Sequence, residues 1–148
     1  MGHDEMATLY DRDFYAWTQQ TGGMLRRGCF DQVDMEHVAE EIEDMGNEKK
    51  HTLKSQTRRL ILHLLRWQFQ PERRSESWIE TIGNAGDEID DVLTENPSLW
   101  PMTANLPSEV YPRAAKRAAQ ETGLPRKAFP PDCPYNFDQL VDDDFLPK

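Results

Sequence analysis

Cysteine is scarce in this chain: Cys29 and Cys133 stand far apart and in no metal-ligand spacing. They can build no disulfide framework, so a reducing interior is the natural setting. No apolar run approaches the length of a membrane span, and the opening MGHDEMATLY is polar and acidic, without the apolar stretch of a secretion signal. A soluble, cytoplasmic protein without membrane contact is the expectation. A glycine-rich phosphate loop, a nucleophile elbow and a His-Glu-x-x-His zinc helix are all missing. Positive charge is in deficit too. The net charge of −10 opposes a nonspecific hold on DNA or anionic membrane, because phosphates repel the mean field. There are no repeats, no low-complexity tracts and no convincing strand.

What remains is enough for one domain with a real core: 148 residues, 37% hydrophobic, with four Trp, four Tyr and six Phe. The central block, Asp34 through Arg74, is the most distinctive stretch. Asp34–Glu48 carries seven carboxylates and no lysine or arginine, whereas from Lys49 to Arg74 eight bases face the single acid Glu72. Val38, Ile42, Met45, Leu53, Leu60, Leu64 and Trp67 run through both halves at helical spacing, with one gap near Lys49. Unbroken from its Asp34 cap to Pro71, this helix would be roughly 50 Å long; Gly46-Asn47 could kink or split it. Acids first and bases last is also the order that the helix dipole favours.

Around this helix the chain reads as follows. Residues 1–9 are expected to fray. Asp11 or Asp13 caps a helix bearing Phe14, Trp17, Met24 and Leu25, closed at Gly28. Ser75 or Ser77 starts another helix with Trp78, Ile82, Ile89, Val92 and Leu93, stopped at Asn96-Pro97. A helix over Glu109–Thr122 ends at Gly123 and requires Pro112 in its first turn or a later start. The tail alternates prolines with Phe129, Tyr135 and Phe137, as in an extended strap, and Asn136 with Gln139 boxes a last short helix. The predicted fold is all-α: a single helical domain over 10–148, of about four main helices, with one long central helix and a Pro-rich C-terminal strap.

Several motifs carry a resemblance. Tyr10-Asp11-x-Asp13-Phe14-Tyr15-x-Trp17, Glu40-Glu41-Ile42-Glu43-Asp44-Met45-Gly46, and His63-Leu64-Leu65-x-Trp67-Gln68-x-Gln70-Pro71-Glu72-Arg73-Arg74 with Ser77-Trp78 form one set. Glu121-Thr122-Gly123-Leu124-Pro125, Cys133-Pro134-Tyr135 and Asp144-Phe145-Leu146-Pro147 complete it. From about Tyr10 to Pro147 the chain resembles a bacterial family known as domain of unknown function 29. The resemblance implies an all-helical protein and no activity. The chain departs from the family at Trp100-Pro101-Met102, where a longer helical run is usual, and at His51, where histidine is not habitual.

Three constellations could carry chemistry. Glu48 and His51 make a Glu-x-x-His spacing beside Glu41, which in di-iron bundles projects ligands from one helix face. It occurs once, without the second copy such sites need, so no metal and no cofactor is expected; Glu41, Glu48 and His51 remain the weak candidates. His63 shares an apolar face with Leu60 and Trp67 at about 100° per residue. It is the one candidate acid or base. A straight helix puts it roughly 33 Å from Glu41, too far for one joint site. The third constellation is the corner Trp67, Gln70, Glu72, Arg73, Arg74, Ser77 and Trp78, where arginines beside aromatics could bind phosphate or stack a base. The plainer reading is a helix-helix joint.

The leading functional reading is a protein-interaction or small oligomer module, with a protein partner or a second copy of itself in a homodimer, acid against base. A small enzyme, metal-dependent or not, using the acidic cluster or His63 is the alternative. Nucleic-acid binding through residues 49–74 comes third.

Overall fold

The computed structural model of the chain describes residues 2–148. They form six α-helices linked by turns and 3-10 segments, with no strand among the described residues: α1 (His3–Arg12), α2 (Phe14–Arg27), α3 (Met35–Phe69), α4 (Glu76–Glu95), α5 (Leu106–Thr122) and α6 (Phe137–Leu140). The all-α class and the long helix agree with the periodicity. The expected count of about four main helices falls one short, since five of the six have ten residues or more. Contacts group the chain into two compact units, one ending at Asn47 and the other Glu48–Lys148.

The first unit holds α1, α2 and the start of α3. Residues 3–9, expected to fray, are most of α1, because Met6 and Leu9 lie one turn apart on one face and are both buried. Asp13 ends α1 and caps α2, its carboxylate accepting from the Ala16 amide at 3.1 Å. Gly28 closes α2 at φ 77°, the left-handed conformation that a side chain would strain. The core of this unit is Met6, Leu9, Trp17, Met24 and Val33.

Helix α3 runs 35 residues without interruption through Gly46-Asn47. One glycine costs a helix about 1 kcal/mol, too little to undo a ladder already propagating on both sides.

In the second unit, Leu53, Leu60, Ile61, Leu64 and Leu65 of α3 share one core with Ala85, Ile89 and Leu93 of α4 and Leu106, Tyr111, Ala114, Ala115 and Ala118 of α5. Ser75 caps α4, accepting from the Trp78 amide at 3.4 Å. The stretch Pro97–Ala104 is 3-10 helix, and α5 then begins at Leu106, earlier than expected, which places Pro112 beyond its first turn. A proline there costs about 3 kcal/mol. Burial of Leu106, Val110 and Tyr111 ahead of it offsets that cost, since each large apolar side chain contributes about 1.5–3 kcal/mol.

Beyond Gly123, also left-handed at φ 77°, the proline-rich segment crosses this core. Phe129, Tyr135, Phe137 and Leu140 are buried in it. The Tyr111 hydroxyl donates to the Pro130 carbonyl at 2.7 Å, and the Tyr135 hydroxyl to Gln68 Oε1 at 2.7 Å. Asn136 and Gln139 make the reciprocal capping box of α6. Both cysteines are free; Cys133 is half-buried, its thiol pushed up by burial and pointed at the Tyr135 carbonyl.

Candidate functional site

The start of α3 is held by a buried carboxylate. Asp34 accepts from the His37 amide at 3.3 Å and from its Nδ1, and His3 Nε2 lies 3.6 Å away. Burial alone would raise the Asp34 pKa, but the hydrogen bonds and charge of His37 bring it below the ordinary value. The same hydrogen bond raises His37. The His37 ring stacks on Tyr10 at 3.8 Å between centroids, with Trp17 edge-on to Tyr10 at 4.9 Å. The Tyr10 hydroxyl donates to Glu41, and that bond pushes its pKa up to about 12. Asp34 was legible as a helix cap; the stacking of its partner His37 on Tyr10 was not, because Tyr10 comes from another helix.

One turn further, α3 changes character. Met35, Ile42, Leu53, Leu60 and Leu64 follow one another at steps of seven, eleven, seven and four, all same-face steps on a helix. Leu53, Leu60 and Leu64 are at most 1% exposed, yet Ile42 is 59% and neighbouring Met45 60% exposed. Glu36, Glu40, Glu43, Asp44 and Glu48 surround this bare stretch, and none has an ion pair or side-chain hydrogen bond among the described residues. The expectation that Ile42 and Met45 pack as Leu53 does is thus corrected: among the described residues both stand mostly exposed.

The second unit carries the opposite surface. A groove of about 620 Å³ opens between α3 and α5, lined by Arg58, Arg59 and His63 on one wall and Arg113, Lys116 and Arg117 on the other. Of its five lysines and arginines only Arg117 is in an ion pair, with Glu121 at 3.1 Å. His63 Nδ1 donates to the Arg59 carbonyl at 3.0 Å, leaving Nε2 as the acceptor of the neutral ring. Burial lowers the His63 pKa, and the charges of Arg66 and Arg59 lower it further. Sequence reasoning found His63 but not the α5 wall, although Arg113, Lys116 and Arg117 sit at i, i+3 and i+4 and had to share a face.

The candidate corner is a joint in which most of its groups have partners. Arg74 donates to the Trp67 carbonyl at 2.9 Å and lies 4.8 Å over the Trp67 ring. Arg66 lies 4.5 Å over Trp78, and Gln70 is buried, donating to the Thr122 carbonyl at 3.4 Å. Glu72, Arg73 and Ser77 are exposed. Glu41 is turned to Tyr10, while Glu48 and His51 are exposed. Among the described residues no three His, Cys, Asp or Glu side chains converge as a metal site. Among the described residues no helix is long and apolar enough to cross a membrane.

The family model for the domain of unknown function DUF29 matches residues 9–146. The chain belongs to that family. No curated protein and no solved structure matches it. Several motifs behind the family resemblance meet in the fold. The Tyr10 and Glu41 motifs join at their hydrogen bond, and the Cys133-Pro134-Tyr135 motif bonds the His63–Arg74 motif through Gln68. Tyr10, Glu41, Gln68 and Tyr135 are thus joints of the fold, while Ile42 and Met45 of the same Glu40–Gly46 motif project outward, as does the α5 wall of the groove.

Proposed function

We propose that the chain is a protein-interaction module that docks through the first half of α3. One observation carries this reading: an apolar stripe that is core from Leu53 onward stands bare at Ile42 and Met45, ringed by carboxylates without partners. Leaving two large apolar side chains in water forgoes about 1.5–3 kcal/mol apiece when compared with full burial. Apolar centres with a charged rim are the usual anatomy of a docking surface. The partner's chemistry follows from the rim: an apolar patch edged with lysine or arginine.

A photo-crosslinking amino acid placed at Ile42, with the exposed Glu88 as control, tests this in living cells. A discrete adduct from position 42 and none from position 88 is expected. Equal, diffuse labelling at both positions would remove the docking reading.

A further inference from the structure

We infer that the groove between α3 and α5 is the receptor for the acidic, apolar first half of α3 from a second copy of this chain. The inference rests on the docking reading above and names its partner.

The groove is electrostatically incomplete. Arg58, Arg59, Arg113 and Lys116 face one space without an ion pair among the described residues, in a chain with 27 acids and only 17 bases. Like charges gathered in this way repel, and carboxylates are abundant elsewhere on the chain, so an anionic occupant relieves the groove. Its complement is on the same sequence: Glu36, Glu40, Glu43, Asp44 and Glu48 lack partners just as the cations do. The apolar content matches as well, since Leu62 lines the groove and Ile42 and Met45 stand among the acids.

The apolar groups decide between a polypeptide and a phosphate: a phosphate has nothing to set against Leu62, whereas a helical segment brings Ile42 and Met45. Each copy has one acidic face and one groove, so two copies engaging reciprocally use both and close as a pair.

Sedimentation velocity of the full chain, with charge reversals on each surface, is the test. Wild type is expected to associate, with the dissociation constant rising about tenfold or more between roughly 0.05 and 0.5 M salt as screening tightens. Glu43→Lys with Asp44→Lys on one chain, or Arg59→Glu with Arg113→Glu on another, should each give a folded monomer by circular dichroism. All four positions are exposed. Mixing the two variants should restore association, because one contact is then doubly reversed and the other is wild type. Restoration cannot come from a variant that merely fails to fold. A wild type monomeric at every concentration overturns the inference, and so does a mixture of folded variants that stays monomeric. If that monomer instead binds inorganic polyphosphate and loses it with Arg59→Glu and Arg113→Glu, the groove belongs to a phosphate ligand. If position 42 still cross-links another protein, the docking reading survives and only self-pairing falls.

Discussion

Among its described residues, the unit ending at Asn47 buries five apolar side chains in its core and leaves six large ones exposed: Phe14, Tyr15, Phe30, Met35, Ile42 and Met45. The unit from Glu48 buries nineteen in one cluster and exposes three, Ile79, Trp100 and Leu146. Small units have too little volume for their surface to be stable on apolar burial alone. The first unit leans on polar joints, Asp34 with His37 and Tyr10 with Glu41, while the second sets its own, Tyr111 with Pro130 and Tyr135 with Gln68, around a far larger apolar core. The contrast shows where order is cheapest to lose and where a partner has most to cover.

Trp17→Ala should have the largest effect, removing about 3–5 kcal/mol from a core of five side chains. Amide exchange should then show protection gone from α2 while α5 keeps its own; an equal loss in both would mean that the two units do not open separately. Next comes the α3 stripe. Leu53→Ala should cost about 2–5 kcal/mol in urea unfolding, and Ile42→Ala within about 0.5 kcal/mol. Similar costs at both positions would show that Ile42 is covered after all.

Asp34→Ala removes a helix cap and should cost about 0.5–2 kcal/mol. The pH dependence of the same pair has a definite sign. His37 is raised, so its contribution is complete below its ordinary value and is lost as pH climbs through the raised one. Asp34 is lowered, so its contribution is present above its ordinary value and is lost as pH falls through the depressed one. The first unit should therefore be most stable in mildly acidic buffer and melt lower at pH 8 than at pH 6, a difference that His37→Gln abolishes. Smallest of all, Lys54→Ala breaks the exposed pair with Glu109 at 3.2 Å and should shift stability by at most about 1 kcal/mol.

Local chemistry was readable where a residue's partner lies within a turn. Asp13, Asp34 and Ser75 cap the helices expected of them, Gly28 and Gly123 close theirs, and Asn136 with Gln139 forms its box. Polar composition hid α1, whose order depends on burying Met6 and Leu9. The rule on Pro112 put the start of α5 too late, because Leu106 and Tyr111 gain more from burial than one missing amide costs. His63 was visible as a candidate, but its surroundings were not: the opposite wall of its groove begins fifty residues later in the chain, at Arg113.

The sequence by itself determined the helical class, the two ends of the α3 stretch at Asp34 and Pro71, and the division of its charge into an acidic and a basic half. Those properties follow from neighbours within one turn and from a period of 3.6 residues. Only the tertiary structure decided which stretch of the α3 stripe is core and which is bare. The side chains that cover Leu53, Leu60 and Leu64 come from α4, α5 and the proline-rich tail, residues that helical periodicity cannot connect to them.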